Sequence, residues 1–219
     1  TTTTWPVPPR STAFGWSSAG VILGGPVPRP AGPPGFEVSL LDPLTGSIRP
    51  FSLAPAMLLP GALGLGFLPA DDSLWTQGVQ AGSATVVSQS LATGAVQTWY
   101  HGPGTAYVVA ATSDGDPIIQ VGTSDLGHLQ PNQQNGVSQQ TLLFTSPGQS
   151  TVVNQGVVGQ PNVAADLSPL SATMGSTVWM ADDQGGIWSW TAASGMRKVA
   201  GITTSNDGPP GISISGACG

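Results

Sequence analysis

Charge is what this sequence has least of: Asp, Glu, Lys and Arg together make up 7% of its 219 residues. Lys198 is the sole lysine, and Arg10, Arg29, Arg49 and Arg197 complete the cations. With a net charge of −6, no basic stripe exists to replace phosphate counterions, which argues against a nucleic-acid partner. The same scarcity argues against docking on anionic lipid. Cysteine is nearly absent as well. Cys218 stands alone, which excludes an internal disulfide framework or a Cys-based zinc site within the chain. It either pairs with a cysteine elsewhere or is buried.

Long apolar runs are equally rare. Leu53 to Ala70 carries no charge and meets the lower length limit for a membrane span. It also holds Pro55, Pro60 and Pro69 with Gly61, Gly64 and Gly66, which would break a helix repeatedly. A loop followed by a buried strand explains it, and no transmembrane span is expected. Thr1-Thr2-Thr3-Thr4 has neither the basic region nor the apolar core of a signal peptide, as expected of a mature or excised chain.

What the chain does have is glycine (31), proline (21) and tryptophan (7). Gly and Pro at this level border on low complexity. The 39% hydrophobic content and regular short apolar runs argue instead for a folded, turn-rich, all-β protein. The low-charge surface, rich in Thr, Ser, Gln, Asn and Gly, suggests an extracytoplasmic or secreted location.

The clearest unit is Ser176 to Ile202. Apolar strands at Thr177–Ala181, Gly186–Trp190 and Met196–Ile202 are divided by Asp182-Asp183-Gln184-Gly185 and Thr191–Gly195. Gly supplies positive φ in such turns and Asp bonds its own backbone. Similar meanders precede it, giving units of about 11–53, 62–101, 105–156 and 162–202. Asn162–Leu167 is read as the first strand of the last unit. Gly46, Gly94, Gly148 and Gly195 close the last turn of each unit, so the period is about 50 residues, in the range of propeller blades. Residues 1–10 read as an outer strand or a Thr/Pro linker. Residues 203–219 contain an alternating strand, Gly211–Cys218, that opens a next blade or closes the ring.

The segments TVWMADDQGGIWSWTAASGMRKV, LLDPLTGSIRPF and SQSLATGAVQTWY resemble blades of bacterial propellers of the quinoprotein-like and two-component-regulator types. TolB- and YncE-like propellers are similar. The resemblance covers Ser11 to Ile202 and implies a β-propeller of four-stranded antiparallel blades, four of them visible, as a small ring or part of a larger one. No cofactor motif accompanies it, and no family catalytic residue carries over. Trp16, Phe67, Trp75, Phe144, Trp179 and Trp188 are expected as wedges between blades, with an aromatic binding platform as the alternative.

Catalytic candidates are few. His101 and His128 are the only histidines, no Gly-x-Ser-x-Gly elbow occurs, and no third metal ligand is recognisable. Asp71-Asp72, Asp114/Asp116 and Asp182-Asp183 are carboxylate pairs that would suit calcium or glycosidase-type acid/base chemistry. All three fall in hairpin turns, where turn geometry accounts for them.

Loop length is the remaining signal. Insertions 25–35 and 122–138 both lie between second and third strands, at the end where successive blades are joined. Long loops on a rigid scaffold are where binding concentrates. Asp125, His128, Gln130, Asn132 and Gln134, with Arg29 from the other insertion, are therefore the expected binding residues for a glycan or protein partner. The expected function is a non-catalytic binding, sensing or scaffolding module. A propeller-scaffold carbohydrate-active enzyme and a structural surface or assembly protein are the alternatives.

Overall fold

In a computed structural model of the chain, the Thr-Gly turns are built from one hydrogen-bond pattern used twice. Asp42 N–H donates to the Ser47 carbonyl at 2.9 Å and Gly46 N–H to the Asp42 carbonyl at 2.8 Å. One period later Ser90 N–H donates to Ala95 and Gly94 N–H to Ser90, each at 2.9 Å. The threonine hydroxyl of each turn accepts an N–H two residues on, from Ser47 to Thr45 Oγ1 and from Ala95 to Thr93 Oγ1. The following glycine has a φ of 75° at Gly46 and 72° at Gly94, a left-handed conformation that a Cβ disfavours.

The structure describes residues 4–27, 35–59, 62–68, 72–123, 138–155, 171–181 and 186–201. Four sheets form, each an antiparallel meander in chain order. The first contains β1 (Thr12–Ser17), β2 (Gly20–Val27), β3 (Gly35–Leu41) and β4 (Ile48–Phe51). The second contains β5 (Ala62–Leu68), β6 (Ser73–Gln80), β7 (Ser83–Ser90) and β8 (Val96–Pro103). The third contains β9 (Thr105–Ala111), β10 (Pro117–Thr123), β11 (Ser138–Ser146) and β12 (Gln149–Gln155). The fourth contains β13 (Ser171–Met174), β14 (Thr177–Ala181), β15 (Gly186–Thr191) and β16 (Gly195–Gly201). No helix of the described residues is long and apolar enough to cross a membrane.

Each sheet buries apolar side chains against the next. Ile22, Val38 and Leu40 of the first sheet meet Leu74, Val87 and Leu91 of the second, with Met57 from the connection between them. Trp75, Ala84 and Val86 of the second meet Ala106, Val108, Ile119, Val121 and Phe144 of the third. Val109, Ala110 and Ile118 of the third meet Val178, Met180 and Trp190 of the fourth. Among the described residues, none of these clusters joins the fourth sheet to the first.

β-bulges decide which face a residue joins. On β8, Thr98 pairs with Val87 and Tyr100 with Val86, leaving Trp99 as the extra residue. An extra residue puts two neighbours on one side of the sheet. Trp99 and Tyr100 accordingly both pack on the second-to-third core. The Trp99 ring stacks on Trp75 at 5.8 Å and the Tyr100 ring meets the Phe144 edge at 6.4 Å. Val109 is the extra residue on β9, so Val109 and Ala110 share the face toward the fourth sheet while Val108 and Ala111 face the second.

Polar contacts fix the sheets to one another. The buried Gln77 Oε1 on β6 accepts the Val108 N–H of β9 at 2.9 Å. Thr173 Oγ1 on β13 donates to the Ala111 carbonyl at 2.6 Å. Gln89 on β7 accepts from Ala54 N–H and donates to the Ser52 carbonyl, holding the connection from the first sheet.

The expected wedges divide. Trp75 and Phe144 are buried between sheets and Trp188 packs on the third core. Trp16 is not a wedge: it is 63% exposed, because it lies at the lower end of β1 on the face turned away from the second sheet. Trp179 is half-buried and joins none of the three clusters, and the side chain of Phe67 is outside the described residues. The first strand of the last sheet is Ser171–Met174, not Asn162–Leu167, which lies outside the described residues. Ser171–Met174 has no apolar run and is held by its ladder to Thr177–Met180. The stretch 203–219 also lies outside the described residues.

Candidate functional site

Because strands alternate in direction, every sheet has two unlike ends. At the lower end strands one and two join, as do three and four. At the upper end strands two and three join and the chain passes to the next sheet. The two longest connections within a sheet, 28–34 and 124–137, both leave from the upper end. Their bases are the paired residues Val27 and Gly35 in the first sheet and Thr123 and Ser138 in the third. The expected binding residues Arg29, Asp125, His128, Gln130, Asn132 and Gln134 all lie outside the described residues.

The lower end of the first sheet holds an open hollow of about 560 Å³. Trp16 and Ser18 come from β1 and the turn after it, Asp42, Leu44 and Ser47 from the Thr-Gly turn, and Arg49 from the start of β4. Both walls are braced. Ser18 donates from its N–H at 3.2 Å and its hydroxyl at 2.5 Å to the Asp72 carboxylate, which belongs to the turn before β6. Asp42 closes its own turn by accepting from Leu44 N–H and Thr45 Oγ1, each at 2.8 Å, and from Thr45 N–H at 3.4 Å. The Trp5 indole N–H donates to the Pro43 carbonyl at 3.1 Å, and its ring occupies the space that a Cβ on Gly46 would need.

Charge in the hollow is balanced. The Thr45 hydroxyl and then the Leu44 N–H hold the Asp42 carboxyl below its usual range, so it stays anionic. Among the described residues, nothing engages the exposed Arg49 guanidinium or the Trp16 indole N–H. The available donors therefore face outward, while the carboxylate is largely occupied within its turn.

Other expected chemistry disperses. His101 lies within β8 on an exposed surface, its Nδ1 2.9 Å from Thr85 Oγ1. Asp114 and Asp116 sit in a turn closed by Thr112, whose hydroxyl accepts from Asp116 N–H at 3.1 Å. Burial, and secondarily the charge of Asp114, raises the Asp116 carboxyl above its ordinary value. Asp71, Asp182, Asp183 and His128 lie outside the described residues. Among the described residues no three of His, Cys, Asp or Glu gather as metal ligands.

No local pattern in the sequence singles out Ser18, Asp42 or Arg49. The available signal was a Trp-Ser-Ser turn and one of very few cations, which the meander places at the same end of the sheet on its two edge strands, β1 and β4.

No family model matches the chain, and no curated protein does. Among solved structures, the chain is similar to one titled "Oligogalacturonate lyase in complex with manganese", at 18% identity and a TM-score of 0.45. The match covers 84% of this chain and 50% of that one, so the chain spans about half the length of that structure. The fold is β-propeller-like on its own geometry: among the described residues, four antiparallel four-stranded meanders each pack on the next. Its four meander sheets are the blades, and the hollow described above lies at the lower end of the first blade.

Proposed function

We propose that the chain is an exported, non-catalytic propeller module that binds a glycan or protein ligand at the upper end of its blades. The observation that supports this is the common exit point of the two longest within-blade connections, 28–34 and 124–137, above a scaffold of packed sheets. On this reading Asp125, His128, Gln130, Asn132 and Gln134, with Arg29, supply amide, imidazole and charged groups to the ligand. Rigid scaffolds that carry variable loops concentrate recognition in those loops.

The test replaces 124–137 with Asn-Gly, a two-residue connection that suits a hairpin. Parent and variant are compared by far-UV circular dichroism and melting, then on a glycan array and a displayed peptide library. The expected result is an unchanged fold with loss of the parent's binding. A variant that binds as the parent does would remove the upper-end reading.

A further inference from the structure

We propose that the outer face of the first blade is a docking groove for an extended, tryptophan-anchored and proline-rich segment. The chain fills the groove with its own Trp5–Arg10, and the same segment of a second copy can take that place. The proposal does not depend on the upper-end reading, since neither the groove nor its occupant involves 28–34 or 124–137.

The groove follows from strand register. Trp16, Val21, Leu41 and Ile48 are paired across the first sheet and share its outer face, opposite Ile22 and Leu40. Leu23 and Gly25 continue that face along β2 toward the upper end. Leu23 is 3% exposed and Leu41 7%, although neither belongs to an interblade core. What lies over them is marked at both ends of the blade. At the upper end, a Cβ on Gly25 would stand 2.7 Å from the Arg10 carbonyl oxygen. At the lower end the Trp5 ring fills the space of a Cβ on Gly46, and its indole N–H donates to the Pro43 carbonyl. Five extended residues at about 3.1 Å each reach about 16 Å, close to the length of five strand steps, so Trp5–Arg10 is long enough to cross the blade. This diagonal from β2 to the turn before β4 passes over Leu23 and Leu41. It misses the lower end of β1, where Trp16 is left 63% exposed.

The mode of attachment makes the occupant exchangeable. Pro6, Pro8 and Pro9 lack N–H groups and hold the segment, with the residues before them, in an extended form. It adds no ladder to the sheet, and among the described residues one hydrogen bond, from Trp5, ties it to the blade. Pro6 to Arg10 are exposed. At Arg10 φ is 65°, and Ser11 N–H donates to the Pro8 carbonyl at 3.1 Å, a turn that sends the segment back over the sheet. A stiff proline-rich segment with an aromatic anchor loses little freedom on docking. The indole seat is particular to this blade: Gly94, which closes the same turn in the second blade, has nothing within 4 Å of a Cβ. An element held by one anchor can be exchanged for the identical element of another copy.

The test uses the full chain and a synthetic peptide of residues 1–10 carrying a fluorophore at its C-terminus. In the parent the tethered segment competes at an effective concentration on the order of millimolar, so the peptide binds weakly. Trp5→Ala removes the anchor and opens the groove, and is expected to bind the peptide at least tenfold more tightly than the parent by fluorescence anisotropy. Adding Gly46→Ala to that variant fills the indole seat and is expected to abolish binding, whereas adding Gly94→Ala leaves it unchanged. The peptide with Trp5→Ala is expected not to bind. In the ¹⁵N-labelled parent, excess unlabelled peptide is expected to move the Trp5 indole N–H resonance to its position in the free peptide and to leave that of Trp75 in place, a readout that needs no variant to fold. A Trp5→Ala protein that takes up no peptide at millimolar concentration overturns the proposal. So does equal binding by the parent and Trp5→Ala, or binding that survives Gly46→Ala, which would put the peptide elsewhere. A Trp5 resonance unmoved by excess peptide also overturns it, because the segment would then be a fixed part of the blade.

Discussion

Trp75 and Trp16 each lie on a strand, Trp75 in β6 between Leu74 and Thr76 and Trp16 in β1 between Gly15 and Ser17, yet they stand in opposite environments. Trp75 is 3% exposed, stacks on Trp99 at 5.8 Å and an interplanar angle of 27°, and touches the core shared with the third blade. A buried indole removes roughly 150–250 Å² from water, worth about 4–6 kcal/mol at about 25 cal/mol per Å². Direct truncations of buried Phe and Trp to Ala cost about 3–5 kcal/mol, in agreement. Trp75→Ala is therefore expected to lower stability by about 3–5 kcal/mol. For a chain of this size that corresponds to a fall of about 6–20 °C in melting temperature. Trp16→Ala removes a side chain already mostly in water and is expected to stay within about 0.5 kcal/mol of the parent. Urea unfolding followed by far-UV circular dichroism measures both without relying on tryptophan emission, and a shift of midpoint at constant slope isolates stability. Equal losses at the two positions would refute the placement of the blade faces.

Four further outcomes follow from the same geometry. Gln77→Ala leaves the buried Val108 N–H without its acceptor and is expected to cost about 1–3 kcal/mol by the same urea assay. Thr141→Val replaces a fully buried hydroxyl that has no hydrogen-bond partner among the described residues, and is expected to raise stability by about 1 kcal/mol. Gly94→Ala meets open space and should cost only the left-handed penalty of about 1–2 kcal/mol, whereas Gly46→Ala also collides with the Trp5 ring and should cost more. In pH-dependent melting, Asp42 has a lowered folded-state pKa, so its contribution is present above the unfolded value of 3.8 and lost as pH falls through the folded one. Asp116 has the opposite sign: its raised pKa makes the folded state gain stability as pH falls toward 3.8. Asp42→Asn should flatten the first dependence and Asp116→Asn the second.

The repeat was legible because its punctuation is local. Thr45-Gly46 and Thr93-Gly94 make the same turn from the same backbone and hydroxyl atoms within it, so their spacing reports the blade period directly. Which face an aromatic occupies was less legible, since bulges at Trp99 and Val109 reassign neighbouring residues to faces that strict alternation would not give them. Ser171–Met174 escaped notice for a related reason: its strand is defined by pairing with β14, not by an apolar run of its own. Asp72 read as a turn residue and does lie in a turn, but its partner Ser18 is 54 positions away, and no local pattern announces that contact. The hollow is likewise a product of topology, because the meander brings Trp16 and Arg49 to the same end of one blade. The upper-end connections were visible from length alone, and strand order fixes where they leave the scaffold.

The most direct measurement is methyl-resolved NOE spectroscopy on selectively labelled Ile, Leu, Val and Met side chains. Consecutive packing predicts cross-peaks within the set Ile22, Val38, Leu40, Leu74 and Val87, and within the set Val109, Ile118, Val178 and Met180. Cross-peaks joining Ile22, Val38 or Leu40 to Val178 or Met180, with none to Leu74 or Val87, would mean that the first and fourth sheets face each other as a sandwich, and would contradict the account.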